Sequence, residues 1–222
     1  MSNPLVELAG HTLELLAERA VYWAARRTLL LADLHLGKAA AFRRAGLAIP
    51  EGDTEASLQR LDALIERWQP AEVILLGDLL HVRLGEDPAL GEQILSWRAR
   101  HAERHVTAII GNHDRDLERL APALQCCAEG IERDGLVLRH HPPTRPTARA
   151  WLAGHWHPVA RLAAGGDSLR VPAFVEIIGE GLVLPAFGGL TGGTAIAAGR
   201  GRRRYISSGE RVFALDAAAA AD

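Results

Sequence analysis

Residues 29–35 read Leu-Leu-Leu-Ala-Asp-Leu-His, an apolar run that stops on two potential metal ligands, Asp33 and His35. Four later stretches repeat the form. Val73-Ile74-Leu75-Leu76-Gly77 runs into Asp78, and Ala108-Ile109-Ile110-Gly111 runs into Asn112-His113-Asp114. Leu136-Val137-Leu138 runs into Arg139-His140-His141, and Trp151-Leu152-Ala153-Gly154 into His155-Trp156-His157. Short runs rich in Val, Ile and Leu, without polar alternation, have the pattern of strands buried on both faces. Polar groups leaving several such strands at the same end converge on one rim of a sheet. Two Asp, one Asn and several His meeting there make a nitrogen and oxygen donor set that suits Zn, Mn or Fe better than Ca.

Outward from these runs, the first thirty residues have the pattern of a hairpin leading into the first buried strand, with Leu13 and Leu15 alternating with polar neighbours and Ala20 to Trp23 following. Residues 36–53 form a connection carrying Lys38, Arg43, Arg44 and Pro50, placed to wall the site. Asp53 is the expected N-cap of a helix through Trp68, with Leu58, Leu61, Leu64, Ile65 and Trp68 on one face. Asp87-Pro88 opens a second helix that turns Leu90, Ile94 and Trp97 inward, and a third, short one is expected from Asp116 to Leu124. Strand and helix alternate through residue 125, which argues for an α/β layered fold. Beyond His157, strands are expected over Leu169–Ile178, Gly181–Phe187 and Arg211–Leu215, around a Gly/Thr-rich bend at Gly188–Gly193. The Ala-rich tail from Ala217 is expected to fray. Without internal repeats or a linker, the 222 residues are expected to form one domain.

Net charge −2 and a pI near 6.6 give no overall basic footprint. A nucleic-acid partner would have to be held by a local patch or by metal ions. The two cysteines, Cys126 and Cys127, are adjacent, a spacing that disulfide geometry resists, so reduced thiols are expected. No apolar stretch approaches the roughly 20 residues of a membrane span. Glu7, Glu14 and Glu18 do not fit a signal peptide. A cytoplasmic enzyme with no membrane partner is the expectation.

The spacing Asp-x-His at 33–35 puts two ligands on one face of an extended strand end, and His155 and His157 repeat it. Asp78 is placed to bridge two metals, with Gly77 allowing close backbone approach. Asn112 offers a neutral carbonyl oxygen and His140 another imidazole. Two divalent ions in such a site sit about 3.5–4 Å apart and clamp an in-line displacement. Against two Asp carboxylates they leave a positive centre that attracts anionic phosphodiesters. Seven of the ten histidines lie at or near a motif, which chance explains poorly; His11, His101 and His105 lie outside and are expected to be solvated.

In order and wording, Asp33-Leu-His35, Gly77-Asp78, Gly111-Asn112-His113-Asp114, His140 and Gly154-His155-Trp-His157 resemble the calcineurin-like metallophosphoesterases. That resemblance implies two β-sheets sandwiched together and flanked by helices. It also implies a first metal on Asp33, His35 and His157, a second on Asn112, His140 and His155, and Asp78 between them. His113 would steer the phosphate or protonate the leaving oxygen, and Asp114 would orient His113. A metal-bridging hydroxide would attack phosphorus in line. A finer similarity, carried by Asp33 to Lys38, Phe42 to Gly46 with Pro50, Gly77 to His81 and Leu184 to Gly193, is to the bacterial ligase-associated DNA damage response endonucleases. Those are encoded beside a DNA ligase and a helicase. It implies manganese-dependent cleavage of DNA, with Zn²⁺ or Fe²⁺ as other metals. The subgroup often has His-Glu-Pro where this chain has His140-His141-Pro142, so His141 is the alternative ligand to His140. Lys38, Arg43 and Arg44 are candidates to line a DNA groove, as is the cluster Arg200–Arg204. His81 is a candidate phosphate contact, and Trp156 a residue of the pocket edge. A small phosphoester substrate, or a non-catalytic module docking a ligase or helicase, are the competing readings.

Overall fold

The computed structural model describes residues 3–121 and 123–216; the expected frayed tail lies outside the described residues. Two mixed sheets pack face to face. The first holds seven strands in sequence order: β1 (Leu5–Leu8), β2 (His11–Leu16), β3 (Ala20–Trp23), β4 (Thr28–Leu31), β5 (Glu72–Leu75), β6 (His105–Ile109) and β7 (Gln125–Cys127). β1 to β4 form an antiparallel meander, and β4 to β7 run parallel. The second sheet comprises β8 (Ile131–Arg133), β9 (Leu136–Arg139), β10 (Trp151–Ala153), β11 (Pro158–Ala164), β12 (Asp167–Ile177), β13 (Gly181–Val183), β14 (Thr194–Ala195), β15 (Arg202–Ser207) and β16 (Val212–Ala214). In it β9, β10 and β13 run parallel.

The uninterrupted apolar runs are explained by two cores. Leu29, Leu31, Val73 and Leu75 face α2 (Asp53–Trp68) and α3 (Pro88–Arg100), meeting Leu61, Leu64, Ile94 and Trp97. Leu30, Ile74 and Leu76, one residue out of phase, face the second sheet and meet Leu138, Leu152, Phe174 and Leu182. With side chains alternating between faces, a strand between two cores has no polar position. The helices of the sandwich thus cover the outer face of the first sheet.

Four local expectations change. Gly52, not Asp53, is the N-cap of α2, in a left-handed conformation, which leaves the Asp53 carboxylate free of capping. The expected helix at 116–124 is only a 3₁₀ segment, Leu117–Leu120, in which Ala121 N–H closes back on Glu118 O. β13 stops at Val183 rather than Phe187. Pro185 cannot continue a ladder, and the chain crosses to the first sheet, where Ala186 bridges Ala32 and Phe187 N–H donates to Ala32 O at 2.8 Å. His101 is not solvated: its Nε2 lies 2.6 Å from Asp62 and its ring lies against Trp97. Cys126 and Cys127 are free thiols, as expected. No described helix is long and apolar enough to cross a membrane.

Candidate metal centre

All five apolar runs end at one rim. β4, β5 and β6 are parallel, so their C-terminal ends align, and β9 and β10 bring theirs to the same edge from the opposing sheet. The loops beyond them are laced together: Asp33 N–H donates to Gly77 O, His35 N–H to Asp78 O and Leu36 N–H to Leu79 O, at 2.9–3.0 Å. Contrary to the expectation of extended strand ends, the i, i+2 pairs are not extended. Asp33, His35, Asp78, His155 and His157 all have left-handed backbone, with φ between 47° and 69°. Such conformations are costly for side-chain-bearing residues and cluster where function holds them. Here each swings a ligand inward after the strand has ended.

Two groups of donor atoms result. In the first, His35 Nε2 lies 3.1 Å from His157 Nε2 and 3.6 Å from Asp78 Oδ2, and His157 Nε2 lies 3.4 Å from Asp33 Oδ1. In the second, His140 Nε2 lies 3.1 Å from Asn112 Oδ1, 3.2 Å from His155 Nδ1 and 3.5 Å from Asp78 Oδ2. Asp78 Oδ2 belongs to both. His140 Nδ1 donates to Leu76 O at 2.9 Å and His157 Nδ1 to Gly192 O at 3.2 Å. A carbonyl only accepts, so these bonds fix the tautomers and turn each Nε2 lone pair to the centre, as metal-binding histidines require. His141, exposed, lies tilted against His155 with ring centroids 4.2 Å apart.

Asp33 and Asp78 are fully buried, yet no Lys or Arg pairs with either among the described residues. Asp33 accepts from His155 N–H, and Asp78 Oδ1 from His113 N–H at 2.9 Å. Buried carboxylates call for compensating charge, and the imidazoles around them are mostly neutral. Burial, with help from His157 and Lys38, pushes His35 down to about 2; burial also lowers His140 to about 4 and lowers His155. His157 alone rises: burial opposes protonation, but its hydrogen bond and charge contact with Asp33, with the Gly192 carbonyl, outweigh it. Neutral imidazoles and unpaired carboxylates around common points fit divalent cations.

Close packing around Asp78 and His140 depends on glycine. A Cβ on Gly77, at φ 88°, would enter the His140 imidazole, and one on Gly111 would strike the Asp78 carboxylate.

Asp114 does not bond to the His113 ring. Its Oδ1 accepts from Leu80 N–H at 2.8 Å and its Oδ2 from Gly111 N–H at 2.9 Å, so it braces the loop that carries His113. Burial pushes it up to about 6. The His113 ring stacks on His81 with centroids 5.0 Å apart, and His81 Nδ1 is 3.3 Å from His35 Nδ1. Burial, then Lys38 and His113, lower His81 to about 4.

The expected basic groove is mostly absent from this rim. Lys38 opens α1 (Lys38–Arg44) and its charge is felt by Asp53, Asp78 and Asp33. Arg43, in the last turn, instead donates to Pro50 O at 3.1 Å beside Glu51, and the exposed Arg44 contacts no ligand. Arg203 and Arg204 pair with Glu176 and Asp216. Trp156 packs on the outer cluster of the second sheet.

One support had no sequence signal. Arg19 donates to Ala186 O and Gly188 O at 3.2 Å, while Arg60 donates to Phe187 O and lies 4.0 Å over the Phe187 ring. These two guanidiniums, with Asp53 between them in charge, clamp the loop whose Gly192 carbonyl holds His157. The contact spans 167 residues, beyond any local pattern.

The sequence pattern of the calcineurin-like phosphoesterases matches residues 26–133. A solved Pseudomonas putida nuclease, MPE, is 39% identical, with TM-score 0.81; the match covers 96% of this chain and 99% of that one. The chain belongs to the calcineurin-like phosphoesterase family. It is therefore a metal-dependent hydrolase of phosphoesters, with a candidate metal cluster at the rim. Two further structures, a protein of unknown function from Aquifex aeolicus and the E. coli phosphoesterase Yfce, are each 16% identical. Their matches cover 58% and 81% of this chain and 77% and 86% of theirs, with TM-scores of 0.40 and 0.43, too low to carry an argument. No curated protein matches the chain significantly.

Proposed function

We propose that the chain is a two-metal phosphodiesterase that cleaves DNA, with manganese as its working metal. The sharing of Asp78 Oδ2 between the two donor groups carries this reading. Asp33, His35 and His157 would hold one ion, Asn112, His140 and His155 the other, and Asp78 both. His140 is taken as the ligand in this reading, supported by its burial and by the bond that fixes its ring to Leu76 O; His141, exposed beside His140 and His155, is the alternative. Bound ions would supply Lewis acidity for the phosphate and a more acidic water as nucleophile.

The protein's own groups do the rest. His113, beside Asn112 at the open edge, is placed to donate to a phosphate oxygen or leaving oxygen, and its backbone N–H fixes the Asp78 carboxylate. Asp114 holds that loop in place through Leu80 and Gly111. Lys38 adds positive charge on the other flank. DNA as substrate is supported by the near full-length similarity to a nuclease, and a repair role with a ligase and helicase partner extends the same reading.

The test is metal-free protein resupplied with Mn²⁺ and assayed on supercoiled plasmid beside bis-p-nitrophenyl phosphate. Both are cleaved, and Asp78→Ala abolishes both. Hydrolysis of the small ester alone would move the substrate to a small phosphoester.

A further inference from the structure

Beside the metal centre lies a recess of about 420 Å³ lined by His81, Arg83, Glu86, Asn112, His113 and Arg115. That size suits a nucleotide-scale group. Arg83 follows β5 and Arg115 follows β6, so the two guanidiniums reach the recess from separate loops. Both are exposed, and neither makes a side-chain hydrogen bond or ion pair with any described residue. Many arginines elsewhere are occupied, among them Arg19, Arg60, Arg98, Arg104, Arg203 and Arg204; what sets Arg83 and Arg115 apart is that both line one recess. Glu86 is the one carboxylate in the lining, so two guanidiniums against it leave the recess net positive. Its inner wall is Asn112 and His113, the residues assigned above to the second ion and to the reacting phosphate.

We infer that this recess is a subsite for the phosphate next to the scissile one, with Arg83 and Arg115 as its anion clamp. The inference rests on the phosphodiesterase reading of the centre. A substrate whose reacting phosphate sits at Asn112 and His113 presents its next anionic group along this wall. Guanidinium forks match phosphate oxygens in geometry as well as charge. A substrate with one phosphate leaves the recess empty of charge. The subsite therefore selects a polynucleotide strand over a simple diester, without any base contact and without a basic surface overall.

Two esters that differ by one group test this: thymidine 5′-(p-nitrophenyl phosphate) and its 3′-phosphorylated form, hydrolysed by the Mn²⁺-loaded protein. The readout is the ratio of their kcat/KM values. The wild type prefers the doubly phosphorylated ester, and Arg83→Ala and Arg115→Ala each reduce that ratio about three- to tenfold, as loss of one partly screened charge-assisted contact should. Glu86→Gln raises it. A wild-type ratio near one, or a ratio unchanged in both arginine variants, overturns the subsite while the centre stands. No hydrolysis of either ester overturns both. A high wild-type ratio that falls in the variants, with plasmid left uncut, keeps the subsite and removes DNA as the substrate.

Discussion

Gly77→Ala should damage this protein out of proportion to the one methyl group it adds. Gly77 has φ 88°, and an added Cβ would occupy the His140 imidazole, with even the His140 Cβ only 2.8 Å away. Holding an alanine in left-handed backbone costs about 1–2 kcal/mol. Forcing a buried ring out of a packed site costs about 1–3 kcal/mol more. The sum, about 2–5 kcal/mol, corresponds to a fall in Tm of roughly 4–20 °C for a chain of this size. The displaced His140 should also lower kcat/KM on bis-p-nitrophenyl phosphate by about 10²-fold, the usual result of an ångström-scale misplacement. Gly179→Ala is the control: its φ is 78°, but nothing lies within 4 Å of the added Cβ. It should show the backbone cost alone, with activity intact. Thermal melts of the metal-free proteins and Mn²⁺-dependent hydrolysis check both parts. If Gly77→Ala behaves like Gly179→Ala in stability and in rate, the packing of His140 against Gly77 does not hold the centre together.

Arg60→Ala removes the donor to Phe187 O and the guanidinium over its ring. By releasing the Gly192 carbonyl that orients His157, it should weaken metal affinity about 10–100-fold. Metal titration checks this, and unchanged affinity with lowered stability would reduce Arg60 to a packing role. The pH dependence of metal-free stability follows from the lowered histidines. His35 and His140 are uncharged in the folded state well below the 6.5 of the unfolded chain. Their stabilisation is complete above pH 6.5 and is lost as pH falls toward 4, by about 1.4 kcal/mol per unit for each. Asp114, raised to about 6, has the opposite sign: its buried charge costs stability above pH 6, and protonation relieves that cost between 6 and 3.8. The two histidines outweigh it, so Tm should fall from pH 7 to pH 5, and a flat or rising Tm would contradict these assignments.

The site was legible because its ligands sit next to the strongest local signal in the chain, buried strands that stop abruptly. Asp33, Asp78, Asn112, His140 and His155 each follow such a stop within a few residues, so reading the strands located the ligands. How the ligands are aimed was not legible. The left-handed backbone at Asp33, His35 and Asp78 arises from hydrogen bonds between segments 33–36 and 77–79, and spacing alone suggested an extended strand instead. Asp53 has the composition of a cap, yet the αL freedom of Gly52 takes that role and leaves Asp53 to face two arginines. The basic residues misled for a similar reason. Side-chain length lets Arg43, Arg203 and Arg204 find partners that the sequence does not display, while Arg83 and Arg115, set among unremarkable loop residues, have no side-chain partner among the described residues.

The most direct test of a carboxylate-shared two-ion centre is electron paramagnetic resonance of the protein loaded with two equivalents of Mn²⁺, alongside Asp78→Ala and Asn112→Ala. The wild type should bind two ions with an exchange-coupled spectrum. Coupling should vanish in Asp78→Ala, and Asn112→Ala should keep one strongly bound, isolated ion. A single uncoupled ion in the wild type, or coupling that survives Asp78→Ala, would contradict the shared centre.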